Sequence, residues 1–516
     1  MPVQYSSVGE DERFLVDTTQ ATGGIVAPSA SQARIGSDSE DPEREHELEL
    51  DELLTAGNLR AEAARLVWAS LPIMASTTTM LFITLPLMSA VGRLGKIVLA
   101  SMNLVSIFMG LCGVSPLMGI TMALDSLCSQ GHTAARDRRQ LGLYLQRALV
   151  VMMMTTLVIY PLWWNSQHVY QMLGIPKDIA VVTGQILRLY FFGILALLVN
   201  ECLKSYLFAQ GIRRFAVYTN VVCLPASWLS IWLLISNERT SVGVMGVPLV
   251  IVIGGLVLCL STLVFIVRFD GYQSWGGWSR ASLSGLGPII RLALAGSAIA
   301  LCESLALHTI DIGVLFLDTS SMAAQAILST LLSGTWFMGS GFAIVACNRI
   351  GNLLGAGMSN RALLTVYTIL GISTVVFVPL GTLLLIGRDR VAAMFTDDGE
   401  VAGILAAHIP WAAVGGTIQG INMAFSGIMR GQGRQALLAR IRIATFLGIS
   451  IPLSAFAVLV LHWDLAGLWF GYVAGALSST CAQAYIVSTT NWNKQVELCQ
   501  RRISATALPL PLADDR

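Results

Sequence analysis

From residue 63 onward, windows of twenty or more mostly apolar residues alternate with short polar turns. A helix needs about 20 such residues to cross a bilayer. On that rule the pattern predicts helices near 63–91, 97–127, 141–164, 180–210, 214–236 and 244–267. The Gly-, Trp- and Ser-rich connector "RFDGYQSWGGWSRASLSGLGP" follows, and six more helices come near 288–317, 321–348, 361–387, 401–429, 436–461 and 465–489. The expected fold is an all-α polytopic membrane protein of about twelve transmembrane helices. Its expected parts are a disordered acidic tail (1–58), a first lobe (59–267), a link (268–287), a second lobe (288–490) and a C-terminal tail (491–516).

Composition supports this class. Hydrophobic residues make up 54% and charged residues 12%, with mean hydropathy +0.68, whereas a soluble chain is about 25% charged. No basic stripe exists outside short loops, so a nucleic-acid partner is not expected. The nine cysteines are scattered without a CxxC or Cys/His cluster, so they read as small buried hydrophobes, and neither disulfide nor metal is expected.

The tail contains "DSEDPEREHELELDELL", too acidic to fold on its own, with a short amphipathic helix expected near Leu48–Leu54. No basic region leads into a short apolar core, so the first span is expected to serve as its own insertion signal. Basic residues gather in alternate loops: Arg136, Arg138 and Arg139, then Arg213 and Arg214, Arg268 and Arg280, Arg361, and Arg430 through Arg442. This positive-inside pattern predicts cytoplasmic termini; plasma and vacuolar membranes are both open.

The halves repeat each other. "MALDSLCSQGHTAARDRRQLGLYLQRALV" after the second helix parallels "AIVACNRIGNLLGAGMSNRALLTVYTILG" after the eighth, and "YLFAQGIRRF" parallels "GIMRGQGRQA". Both repeats run in the same direction, which implies two pseudo-symmetric six-helix lobes about an axis along the membrane normal. Transporters of this type hold substrate between the lobes.

Six motifs in order carry a family resemblance. They are "ALDSLCSQG" (Ala123–Gly131), "LGLYLQRAL" (Leu141–Leu149), "NECLKSYLFAQG" (Asn200–Gly211), "NRIGNLLGAG" (Asn348–Gly357), "SGIMRGQGRQ" (Ser426–Gln435) and "LAGLWFGYVAG" (Leu465–Gly475). Over nearly all of 63–490 the chain resembles the multidrug and toxic compound extrusion (MATE) family, especially its fungal branch. The resemblance implies two lobes around a V-shaped central cleft. It also implies an antiporter that exports bulky, often cationic or amphipathic organic molecules against protons or Na⁺. Eukaryotic members mostly use protons, and the acid that many bacterial relatives carry in helix 1 is missing here.

Chemistry centres on "ALCESLALHTIDIGV", Ala300–Val314. A charged acid at mid-bilayer costs roughly 2.5–3.5 kcal/mol or more, so it persists only beside a cavity or a partner. The family places an acid in helix 7 at a fixed interval before A-A-Q, and counting back from Ala323-Ala324-Gln325 gives Glu303. A carboxylate can hold a proton or an organic cation, and that competition suits antiport; the alternative is a structural acid paired with a neighbouring helix. His308 and Asp311 share a face one turn apart. Asp311 lies about 12 Å along the helix from Glu303 and roughly 80° around it. The pair reads either as a polar strip leading outward or as a satisfied interhelical histidine beside an interfacial acid. Where relatives carry a second acid after Trp-Trp, this chain has His308 and Ser304-Leu305.

Helix 10 departs further. The family's carboxylate eleven residues before the R-G-x-G arginine becomes Gln419, its Asn becomes Arg442, and its Tyr-Tyr becomes Phe446-Leu447. Coupling then rests on Glu303 or moves to Glu201 in the first lobe, for which Lys204 offers a structural ion pair. These departures suggest a narrower or less cationic substrate. Asn103, Gln210 and Asn422 are candidate cavity groups. Asp125, near Arg136, Arg138 and Arg139, is expected in a structural or gating salt bridge, with Arg349, Asn352 and Arg430 in the same cytoplasmic gate or structural role. "RIGNLLGAG" and "MRGQGRQ" follow no strand and lack the Lys-Ser/Thr of a phosphate loop. Pro72, Pro86, Pro225, Pro379 and Pro452 fall within predicted helices and should bend them.

The expected function is proton-coupled export of small organic molecules, without a cofactor and with Na⁺ the less favoured ion. Expected partners are a small organic substrate and the bilayer, and a monomer suffices. The competing readings are a lipid or lipid-linked-precursor flippase, a membrane enzyme using His308 and Asp311, and a non-transporting relative.

Overall fold

The computed structural model describes residues 56–135 and 137–506. The helix expected near Leu48–Leu54, most of the acidic tail and Arg136 lie outside the described residues. Twelve helices among those residues are long and apolar enough to cross a membrane. In the first half they are α1 Gly57–Gly92, α2 Ala100–Ala134, α3 Arg139–Trp164, α4 Lys177–Ala209, α5 Arg214–Ser236 and α6 Gly243–Arg268. In the second half they are α7 Gly287–Phe316, α8 Thr319–Gly355, α9 Ser359–Ile386, α10 Gly399–Gly431, α11 Gln435–Leu459 and α12 Asp464–Ser488. A further helix, α13, runs Trp492–Thr506, where the sequence suggested only a tail.

Several spans outlast their hydropathy. The apolar pattern ends α2 near 127 and α8 near 348, yet the helices continue to Ala134 and Gly355, and α1 begins before residue 63. The extra turns carry Glu62 and Gln130, both at least nine-tenths buried. Polarity ends a hydropathy window, but it does not end a helix whose polar side chains find partners inside the protein.

Three segments widen to π geometry: Gly110–Val114 in α2, Trp232–Ser236 closing α5, and Ile443–Ser450 in α11. The first and last precede Pro116 and Pro452. Proline removes one backbone donor and crowds the carbonyl four residues back, and a wider turn next to it relieves both. Pro72, Pro86, Pro225 and Pro379 lie inside their helices as expected. Asp318 caps α8: the Ser321 backbone N–H donates to it at 2.8 Å. Hydrogen bonds from Ser321 hold this exposed carboxyl below its usual range.

Because the span number is even, α1 starts and α12 ends at one face of the bundle, here called basal; the opposite face is distal. In the first half α4 packs on α6, and in the second α8 packs on α10. The halves meet through α2 against α7 and α8, and through α1 against α8. Close approach of α2 and α7 depends on glycine. A Cβ on Gly119 would fall 2.2 Å from the Ala293 carbonyl oxygen and 2.2 Å from the Ser297 nitrogen, and Gly296 faces Gly119 from the other side. These contacts are backbone, which no rotamer change relieves. Gly119→Ala is therefore expected to cost about 1–3 kcal/mol of stability, read as earlier thermal unfolding in detergent, while Gly371→Ala, with open space around it, leaves unfolding unchanged.

The connector after α6 is docked on the first half. The Gln146 side-chain amide donates to the Gly277 carbonyl at 2.6 Å, Tyr206 donates to the Gly271 carbonyl at 2.7 Å, and Ser274 donates to Gln210 at 2.9 Å. Gln210 thus secures the connector at the basal end and does not line a cavity between the lobes, as its type and position had suggested.

Candidate functional site

Three groups of buried polar side chains hold most of the candidate residues. The first surrounds Glu303, which lies well inside α7 and is 7% exposed. Its Oε1 accepts from Trp336 Nε1 of α8 at 2.9 Å and from Gln419 Nε2 of α10. Both donors are neutral and both use the same carboxylate oxygen. The residue expected to have lost a titrating role in helix 10 is thus a direct partner of the acid in helix 7.

Helix α10 continues this polar face toward the basal end at helical spacing. Asn422, fully buried, donates to Thr480 at 2.8 Å and reaches the Ala476 carbonyl at 3.4 Å, tying α10 to α12. It is a link inside the second half, not the cavity group expected. Ser426 accepts from Arg442 Nη2 at 2.8 Å. Arg442 has no exposed surface, lies over the Phe446 ring at 5.3 Å, and makes no ion pair within 4 Å among the described residues. Glu303 is the carboxylate that acts on it most strongly.

The second group lies distal to Glu303. His308 Nδ1 is 3.2 Å from Asp311 Oδ2, and Asp311 Oδ1 accepts from Gln325 Nε2 at 3.2 Å and Ser329 at 3.3 Å. Gln325 in turn accepts from Trp469 Nε1 of α12 at 3.0 Å. Of the two readings offered for His308 and Asp311, a continuous strip from Glu303 is not formed: no hydrogen bond among the described residues joins Glu303 to His308. The imidazole also touches the other lobe, since a Cβ on Gly110 would come within 2.6 Å of His308 Nε2. Asn103, toward the distal end of α2, is exposed, and its side chain makes no hydrogen bond to another described residue.

The third group is a basal layer joining the lobes. Glu62 of α1 accepts from Arg349 of α8 at 2.9 and 3.0 Å and from Thr365 of α9 at 2.9 Å. Asp125 pairs with Arg430 of α10 at 3.4 Å, so the partner of this carboxylate comes from the opposite lobe. Ser126 donates to the Arg430 carbonyl at 2.7 Å, Gln130 to the Gly431 carbonyl at 2.7 Å, and Thr133 to the Asn352 carbonyl at 2.7 Å. Asn352 donates to the Ala209 carbonyl at 3.3 Å. Glu201 and Lys204 form a 2.8 Å pair within α4, facing Asp125; this puts Glu201 beside the basal layer. Glu62 escaped sequence reading because it precedes the apolar window, although Arg349 within "NRIGN" signalled a need for a carboxylate.

The most distal hydrogen bond that joins α1 to α8 among the described residues runs from Thr77 to the Phe337 carbonyl at 3.1 Å. Two six-helix lobes joined basally, with a buried acid inside one of them, frame the site.

The model of the MatE family matches residues 72–233 and 298–456, one segment in each lobe. The chain belongs to the MatE family. An uncharacterized transporter of Schizosaccharomyces pombe is 26% identical over 80% of this chain and 76% of its own length. Protein DETOXIFICATION 16 of Arabidopsis thaliana is 27% identical over 89% and 95%, and multidrug and toxin extrusion protein 2 of Pongo abelii is 27% identical over 79% and 72%. The crystal structure of the eukaryotic MATE transporter AtDTX14 superposes with a TM-score of 0.81 at 20% identity, covering 86% of this chain and 99% of that one. As a MatE protein the chain is an integral membrane transporter with two pseudo-symmetric lobes around a central cleft.

Proposed function

We propose that this MatE transporter exports small organic molecules by proton-coupled antiport, with Glu303 as the coupling acid. One observation carries the reading. Every other acid in the interior of a span has a basic partner: Glu62 has Arg349, Asp125 has Arg430, Glu201 has Lys204 and Asp311 has His308. Glu303 has no ion pair within 4 Å among the described residues: both its hydrogen-bond donors are neutral, and the buried Arg442 stands farther off. A buried acid kept for structure is normally paired, because an isolated charge in the membrane is costly. An acid that must exchange a proton for cargo has to exist in both forms.

The local geometry suits that exchange. Trp336 and Gln419 both donate to Oε1, which leaves Oε2 to carry the proton without breaking either bond. The basal layer is closed in this conformation, and in this scheme cargo and protons reach Glu303 from the distal side. Arginines concentrate in the basal loops, which makes the basal face cytoplasmic by the positive-inside rule and the distal side the destination of the cargo. Opening the basal layer while closing the distal cleft would complete alternating access.

The test is transport by the reconstituted protein under an imposed pH gradient, against a panel of cationic, neutral and acidic metabolites. Gradient-dependent accumulation of at least one class is the expected result. No accumulation with the gradient in either direction overturns the reading.

A further inference from the structure

The C-terminal helix α13 lies across the basal seam. It packs against α2 of the first lobe and against α8 and α9 of the second. Its apolar side is inserted: Trp492 is 7% exposed, Ile503 is 3% exposed and Cys499 is 1% exposed. Arg502 reaches into the seam. Its Nη1 donates to Gln130 Oε1 of α2 at 2.7 Å and to the Gln432 carbonyl at 3.4 Å, and its Nη2 donates to the Gly433 carbonyl at 3.4 Å. Gln130 is itself fully buried and donates to the Gly431 carbonyl.

One guanidinium therefore holds an α2 side chain and the backbone of the α10–α11 turn together. Gly433 allows this approach: it sits at φ +69°, and a Cβ there would fall 1.9 Å from Arg502 Nη1. The acceptors belong to opposite lobes, so separating the lobes basally must break one set of these bonds. Hydrogen bonds from a charged donor are stronger than neutral ones, and losing this set is enough to shift a two-state balance about tenfold.

We propose that α13 is a latch, locked by Arg502, that favours the basally closed conformation and sets how often the transporter opens toward that side. The inference rests on the alternating-access reading above. Cys499 supplies an internal reporter. Burial pushes its thiol up to about 11, and thiols react as thiolates, so it stays unreactive while α13 is seated.

The experiment uses the full chain in nanodiscs. N-ethylmaleimide modification is followed at the Cys499 peptide by mass spectrometry, so the other cysteines can stay in place. Spin labels introduced as unnatural amino acids at the exposed basal positions Arg214 and Ala436, so that no native thiol is labelled, report the distance between lobes. Arg502→Ala is expected to raise the Cys499 modification rate about tenfold and to shift the distance distribution toward a longer basal separation. Arg502→Lys, which keeps one donor, is expected to fall between Arg502→Ala and wild type. Unchanged distances in Arg502→Ala overturn the latch, whether or not Cys499 becomes reactive, because α13 would then be only a packed tail. The distance measurement needs no cargo. Shifted distances in a protein that fails to transport would support the latch while refuting antiport, and normal transport with unshifted distances would do the reverse.

Discussion

Glu303→Gln abolishes accumulation driven by a pH gradient, by about 100-fold or more, and leaves the protein folded. The substitution preserves the partners that position the group: an amide oxygen can accept from Trp336 and Gln419 as the carboxylate Oε1 does. The NH₂ then occupies the Oε2 position, so the variant resembles a permanently protonated acid. It should still exchange cargo down a concentration gradient, because alternating access does not require the charge, but it should no longer couple that exchange to protons. Two measurements on one preparation decide this: gradient-driven uptake, and counterflow of labelled cargo at equal pH. Equal driven uptake by both proteins would make Glu303 structural and return attention to Glu201, although that residue sits by the basal layer with Lys204.

Glu62→Ala is expected to have the largest effect on stability. This carboxylate accepts from two atoms of Arg349 and from Thr365 and lies 3.6 Å from Arg65, drawing α1, α8 and α9 together. Removing one member of a buried pair leaves the other charge without compensation and typically costs about 3–5 kcal/mol. The lower end applies here, because the Arg349 side chain is 25% exposed and water can partly replace the carboxylate. Thermal unfolding in detergent measures the loss. Since the pair joins the two lobes, the variant should also lengthen the basal inter-lobe distance. If Glu62→Ala unfolds at the wild-type temperature, the basal layer is held by its backbone contacts and the ion pair adds little. The double variant Glu62→Ala with Arg349→Ala should recover part of the loss, because no unpaired charge then remains.

The family and the number of spans were legible in the chain itself. Twelve apolar windows, a duplicated set of motifs and alternating basic loops each reflect a local rule: backbone polar groups in lipid must be satisfied within the helix, so a long apolar run has one outcome. Glu303 was legible for the same reason, since an acid in such a run is too costly to be incidental.

What the acid is bonded to was decided only by tertiary structure. Gln419 looked like the loss of a titrating group and proved to be the ligand of Glu303 from a helix more than a hundred residues away. His308 and Asp311 looked continuous with Glu303 on one helix, but α8 and α12 draw them into a separate cluster through Ser329, Gln325 and Trp469. Gln210 had the composition of a cavity group and became a clasp for the connector. Asp125 found Arg430 across the seam in preference to its sequence neighbours, and the polar C-terminal segment became a helix across that seam. The common reason is that hydropathy and motif spacing act over tens of residues along one helix. A buried polar side chain is satisfied by whatever donor the packing of helices brings within about 3 Å, and that choice is made by contacts between helices remote in sequence.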